Sequence, residues 1–269
     1  MARLIPVKDP VGRGNRFLFG WVKERFPTVP WADVTRQSVE TVQRQLPRSH
    51  TEKYELKTVW YWYPLYCLGG ISFVAFLITV ITGIILGFYY IPDGSDVFTP
   101  EGVPTNMAKL SLACINGDSD CPLAPVPFGF IIRGMHHWSA HMMIAAVFLH
   151  MLRVYFTGAY KKPRELNWLL GVILLLLTLL FGYSGYLLPG NDLSGGAATI
   201  GINMAKASPG PPWLGIFLAN LLFAGTDVLT ANYILRMYWF HVFILPLVGT
   251  LLMILHMALV WVQGVAEPH

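Results

Sequence analysis

Apolar residues gather along this chain in four long blocks rather than at the one-faced spacing of an amphipathic surface helix. The first lies at about 63–90 and contains CLGGISFVAFLITVITGIILGFYY, and the others lie at about 132–156, 167–188 and 237–262. Each is long enough to cross a hydrocarbon core of about 30 Å, which takes about 20 helical residues. The pattern predicts an all-α fold, a four-transmembrane-helix bundle occupying 61–264. Residues 1–60 carry short amphipathic stretches at 13–26 and 31–46. These read either as interfacial helices lying on one membrane surface or as a solvated extension. Residues 91–131 are rich in Pro, Gly and Asp and predict a long loop. Residues 189–235 are interrupted by Gly195, Gly196, Pro209, Pro211 and Pro212. They are too broken to span, although Trp213–Ala224 has the composition of a short interfacial helix.

Composition agrees with the pattern. The chain is 54% hydrophobic and only 13% charged, where soluble domains carry roughly 25% charged residues. No apolar block stands at the extreme N-terminus, so no cleaved signal peptide is expected. Basic residues crowd the segment before the first block, from Arg3 to Lys57, and recur at Lys161, Lys162 and Arg164 between blocks two and three. The 91–131 loop holds Lys109 among Asp93, Asp96, Glu101, Asp118 and Asp120. The positive-inside rule then predicts a multi-pass membrane protein with both termini on the negative, cytoplasmic side. The loop at 91–131 and the region at 189–235 fall on the positive side. That side is often oxidising, so Cys114 and Cys121 are expected to form a disulfide, against free thiols or a shared metal site. Cys67 stands apart, near the negative-side start of the first span.

Ionisable residues inside spans are rare and point to function by default. The second span carries His136 and His150, fourteen positions apart, and the fourth carries His241 and His256, fifteen apart. At about 100° and 1.5 Å per residue, each pair lies roughly on one face with about 21–23 Å between its members. Spans two and four run in the same direction. His136 is therefore level with His241, and His150 with His256. One imidazole within a membrane is commonly a helix-to-helix hydrogen bond; two depth-matched pairs predict two b-type haems, each with two imidazole ligands. A zinc site needs ligands within a few ångströms of one another, which neither intrahelical pair allows. His137 and His141 are rotated off the His136 face. His137 is expected at a haem edge, a quinone or an interface, and His141 as a buried hydrogen-bonding residue. Arg133, Arg153 and Arg236 stand just outside these levels as candidate partners of haem propionates, or as interfacial anchors. Gly69, Gly70, Gly83, Gly87 and Gly182 offer helix surfaces without Cβ bulk for a macrocycle to lie against, although Gly is common in membrane helices.

The strings YCLGG at 66–70, HHWSAHMM at 136–143, HMLRVYFTGAYKKPREL at 150–166, FGYSGYLLPG at 181–190 and HVFILPL at 241–247 resemble the cytochrome b6 family over about 200 positions. The fourteen-then-fifteen histidine spacing also resembles that family. The resemblance implies that His136 with His241 holds the positive-side haem, and His150 with His256 the negative-side haem. It also implies that Cys67 anchors a third, c-type haem by a single thioether, whereas by itself a cysteine there is a common small apolar residue. Three features depart from the family. Pro189, Gly190, Asn191 and Asp192 stand where plastid members have PWDQ, Trp261 and Val262 replace a basic pair, and the first loop and the N-terminal segment are longer. These point to the cytoplasmic membrane of a bacterium rather than a thylakoid.

The function implied is that of a subunit of a quinol:cytochrome c or quinol:plastocyanin oxidoreductase, working by a Q-cycle with proton translocation and inactive alone. Its expected partners are a subunit-IV-like C-terminal half of cytochrome b, a Rieske iron–sulfur protein, a c-type cytochrome, quinol, lipids and a second copy of the complex, with no nucleic acid. The alternative is a di-haem b membrane anchor for a dehydrogenase or hydrogenase. The protein's own contribution is to position the haems and tune them through ligands and burial.

Overall fold

In hydrocarbon every backbone N–H and C=O needs an internal partner, so apolar blocks of this length become helices even when rich in β-branched residues. A computed structural model describes residues 67–98, 102–119, 121–122, 124–225 and 232–263. The amphipathic stretches at 13–26 and 31–46 and the start of the first block at 63–66 lie outside the described residues. Helix α1 is Leu68–Gly87. Its hydroxyls bond back to the preceding turn, Ser72 to the Leu68 carbonyl at 2.8 Å and Thr82 to that of Ile78 at 2.6 Å, which removes their polarity from the apolar surroundings. The helix ends in a turn at Phe88–Tyr89, short of the span expected to Tyr90.

A two-stranded antiparallel ribbon follows, β1 (Asp96–Phe98) and β2 (Pro104–Asn106), with Val97 opposite Thr105. Helix α2, Met107–Asn116, starts where the Asn106 side chain accepts from the Lys109 amide and stops at Gly117, in the left-handed conformation at φ 77°. Both are ordinary helix-end devices. A disulfide joins Cys114 to Cys121. The loop is tied to the bundle by Asn106 Nδ2 donating to the Gly190 carbonyl at 2.9 Å and by the Tyr90 hydroxyl donating to the Leu188 carbonyl.

Helices α3 (Gly129–Phe156) and α4 (Glu165–Leu187) are the second and third spans. Two short helices come next, α5 (Asp192–Lys206) and α6 (Pro212–Phe223). The sequence anticipated α6 but not α5, because Gly195 and Gly196 argue against a helix. The Asn191 side chain caps α5 by accepting from the Ser194 amide, and close packing on α6 compensates for the glycines. That packing is backbone-tight. A Cβ at Gly215 would lie 2.7 Å from the Lys206 carbonyl oxygen and 2.8 Å from that of Ala205. Gly215→Val is therefore expected to force α6 off α5 and destabilise this hairpin by about 1–3 kcal/mol. Faster tryptic cleavage at Lys206 would register it, and cleavage at the unmodified rate would contradict the packing.

The fourth span is helical from Asn232 to Gln263, five residues earlier than the sequence indicated. It comprises α7 (Asn232–Trp239), a π-helical turn (Phe240–Ile244) and α8 (Leu245–Gln263). Pro246 explains the π turn. It has no N–H to give the Val242 carbonyl, and a regular α-turn would press its ring against that carbonyl. Widening the turn relieves both.

The chain divides into two compact units. Leu65–His150 with Ile173–Leu252 contains α1, α2, α5, α6, α7, the π turn and parts of α3, α4 and α8. Its main core packs Leu187, Ala198, Ile202, Ala219, Phe223, Ile234 and Met237, and a smaller cluster joins Ala75, Phe76 and Met143. The other unit takes in Met151–Val172 and Met253–His269. In it Tyr155, Tyr160 and Trp168 stack at the α3–α4 turn, and Gln263 Nε2 donates to the Pro163 carbonyl at 3.2 Å.

Candidate haem-binding site

Within the larger unit His136 on α3 and His241 in the π turn face one another, ring centroids 6.2 Å apart and planes at 74°. The neighbouring helices treat the two rings alike. Thr82 Oγ1 on α1 stands 3.0 Å from His136 Nδ1, and Ser184 Oγ on α4 stands 3.0 Å from His241 Nδ1. The residue after each hydroxyl is a glycine at the same ring. A Cβ on Gly83 would lie 3.1 Å from His136 Cε1, and one on Gly185 only 2.8 Å from His241 Cε1.

The second pair is divided between the units. In the larger one His150 lies against α1 at Gly69, where a Cβ would come within 3.2 Å of Cε1. In the smaller one His256 lies against α4 at Gly171, where a Cβ would be 3.7 Å from its Cε1. Its Nδ1 is buried. Each of the four histidines singled out by spacing thus meets a glycine of a neighbouring helix.

Other sequence candidates are placed less tightly. Gly70 has nothing within 4 Å, while Gly87 faces the Tyr238 hydroxyl and Gly182 the Ile144 methyl. Arg133 donates to the Asn116 side chain at 3.1 Å, and Arg236 to the Asn220 and Leu221 carbonyls at the end of α6; Arg153 sits in the last turn of α3. Cys67 is an exposed free thiol at the N-cap of α1, two residues from Gly69. His137 and His141 are exposed, their ring centroids 4.4 Å apart and their planes tilted by 53°. His141 Nδ1 donates to the His137 carbonyl at 2.8 Å, so it is hydrogen-bonded as expected but exposed rather than buried. Sequence reasoning missed Thr82, Gly171, Ser184 and Gly185. The pairs Thr82-Gly83 and Ser184-Gly185 carried a signal, a hydroxyl beside a helix glycine, that only tertiary placement makes specific.

The arrangement can be tested against a haem. Two nitrogens each held about 2 Å from one metal put the ring centres on the order of 6 Å apart, as found for His136 and His241. Among the described residues no three of His, Cys, Asp or Glu come together. Two imidazoles are only half of a four-ligand set for a bare ion, whereas an iron porphyrin carries four nitrogens of its own and needs only such a pair. The glycines leave apolar clearance beside the rings. The residues fit the group.

Four helices long and apolar enough to cross a membrane, with two facing imidazoles between them, give the arrangement that a haem-binding membrane protein needs. A family model described as cytochrome b (N-terminal)/b6/petB matches residues 141–269. The cytochrome b6 of Heliomicrobium gestii is 37% identical over 248 residues, 92% of this chain and 99% of that protein. The menaquinol:cytochrome c reductase cytochrome b subunit of Bacillus subtilis (strain 168) is 34% identical over 252 residues, 93% and 98% of the two chains. Among solved structures, a chain of a hyperthermophilic respiratory complex III superposes with a TM-score of 0.59 at 28% identity. The match covers 76% of this chain and 49% of that one, so this chain spans about half its length. The chain belongs to the cytochrome b6 family, as a cytochrome b subunit of the bc/b6f type. Membership implies b-type haem.

Proposed function

We propose that this chain is the electron-carrying subunit of a quinol:cytochrome c or plastocyanin-type oxidoreductase. It would connect a quinol-oxidation site on the positive side of a bacterial cytoplasmic membrane with a quinone-reduction site on the negative side. The carrying observation is the His136–His241 pair, 6.2 Å between ring centres. In this reading His136 and His241 hold one b haem and His150 and His256 a second, with the glycines at 69, 83, 171 and 185 giving the clearance. When bound, haem supplies one-electron redox chemistry, which no side chain here provides.

The chain's residues do the rest. The imidazoles fix the ligand planes, the apolar helices exclude water, and the wall of each site is kept flat where a Cβ would intrude. Arg133, Arg153 and Arg236 are the proposed partners of propionates, which Arg133 would reach by leaving Asn116 and Arg236 by leaving the closing carbonyls of α6. Cys67 is proposed as the thioether anchor of a third, c-type haem, supported by its exposed thiol and its closeness in sequence to Gly69, which faces His150. The distribution of basic residues supports both termini on the negative side. A relative's name, menaquinol:cytochrome c reductase, supports quinol as the donor and a c-type cytochrome as the acceptor; a subunit-IV-like partner, a Rieske protein, a dimer of complexes and proton translocation complete the proposal.

A pyridine haemochrome spectrum of the purified complex, with a haem-stained denaturing gel, tests this. Two b haems per chain and a stained band at its mass are expected, and Cys67→Ala should abolish the stain while leaving both b haems. A stain that survives the substitution would move the anchor elsewhere, and well-folded complex without b haem would end the proposal.

A further inference from the structure

The two hydroxyls beside His136 and His241 do more than fill space. Thr82 Oγ1 lies 2.6 Å from the Ile78 carbonyl and 3.3 Å from that of Thr79. Ser184 Oγ lies 2.7 Å from the Leu180 carbonyl and 3.2 Å from that of Phe181. A hydroxyl has one proton and carbonyls only accept, so each proton is committed to its own helix. Toward the imidazole each oxygen has only lone pairs to offer. The hydrogen of each contact, 3.0 Å at both rings, is therefore on the imidazole Nδ1. That leaves Nε2 of both rings unprotonated, the state a metal ligand requires.

We propose that Thr82 and Ser184 are positioning residues that lock His136 and His241 in the Nδ1–H tautomer and raise their donor strength, lowering the reduction potential of the iron held between them. An imidazole whose distal N–H is drawn toward an oxygen acceptor is more basic at the other nitrogen, and a more basic axial ligand favours the oxidised metal. The pairing of hydroxyl and glycine is found at both rings of this level. At His256 the adjoining glycine is Gly171, and the residue before it is Leu170, which has no hydroxyl. Each site at the His136 level instead combines a hydroxyl and a glycine in consecutive positions of one helix. The hydroxyl sets ring orientation and electronics while the glycine sets clearance. The inference rests on the proposed haem reading, which it deepens by assigning the tuning to two named side chains.

The test is a spectroelectrochemical titration of the b haems in the purified complex, comparing Thr82→Val, Thr82→Ser and Ser184→Ala with the unmodified protein. Thr82→Val and Ser184→Ala should each move one of the two b transitions to higher potential. The reduction equilibrium should shift by about three- to tenfold, the worth of one hydrogen bond, with the other transition unmoved. Thr82→Ser keeps the acceptor and should titrate like the unmodified protein. The low-spin ferric signal in electron paramagnetic resonance should change with the same transition. Intact haem content with neither transition displaced would overturn the proposal, as would Thr82→Ser shifting as far as Thr82→Val. If Thr82→Val fails to assemble, Ser184→Ala decides alone at the opposite ligand. If the unmodified complex holds no b haem, the functional reading fails first. Nitrogen NMR of the haem-free chain then decides the hydroxyl part: an Nδ1–H tautomer at both rings keeps it, and an Nε2–H tautomer overturns it.

Discussion

His241→Ala is expected to remove one of two b haems per chain and leave the second in place. The substitution deletes one of two facing imidazoles while leaving His136 hydrogen-bonded to Thr82. A single imidazole in an apolar site does not replace the paired ligand, and small buried cavities of this kind stay dry. The b haemochrome per chain should fall by about half, and His136→Ala should reproduce the loss. The double variant should be no worse than either single one, because both changes abolish one site and act as a unit. The decisive measurement is haem per protein with the remaining b transition resolved. Retention of both haems in His241→Ala would remove that histidine from the ligand set, and loss of both would mean that the bundle itself depends on it.

The second large effect is expected at Gly185. A Cβ there would lie 2.8 Å from His241 Cε1 and 3.3 Å from Nε2, the nitrogen left free to bind a metal. Gly185→Val adds two further methyls in that direction, and the π turn carrying His241 has to move or the ring has to rotate away from Ser184. Overpacking of this kind typically costs about 1–3 kcal/mol, and ligand geometry is less forgiving than stability. The His136/His241 haem should be lost as in His241→Ala although all four histidines remain. Gly196→Ala is the control, on exposed α5 with nothing within 4 Å of the added methyl. It should keep full haem content. Full haem content in Gly185→Val as well would show that the clearance is unnecessary.

Much of this architecture is legible in the amino-acid sequence. The four spans are written as uninterrupted apolar blocks, because hydrocarbon leaves the backbone no other choice than helix. The four histidines stand out because an imidazole inside such a block is expensive without a purpose. The Cys114–Cys121 disulfide follows from loop composition and side. Three things are not legible there. Helix α5 runs through Gly195 and Gly196, since its cap at Asn191 and its bed on α6 outweigh local propensity. Thr82 and Ser184 look like ordinary hydroxyls of a membrane helix, and only the ring 3.0 Å away gives each a role. The arginines are legible as cations but not in their engagements: Arg236 reaches the closing carbonyls of α6 and Arg133 the side chain of Asn116.

The π turn at Phe240–Ile244 bears on how histidine spacing is counted. A π turn takes about one residue more than an α turn to complete the same rotation. A segment that contains one therefore holds an extra residue without gaining the rotation that residue would otherwise add. Fifteen positions along the fourth span are then close to fourteen positions of plain helix in angle. The step of fourteen in the second span and the step of fifteen in the fourth are near-synonyms, differing by an insertion that Pro246 makes tolerable. The unequal spacing is thus compatible with one common histidine face, because the backbone takes up the extra residue in its π turn. Between the two spans, the odd residue is a change of turn type and no change of the face on which the histidines stand.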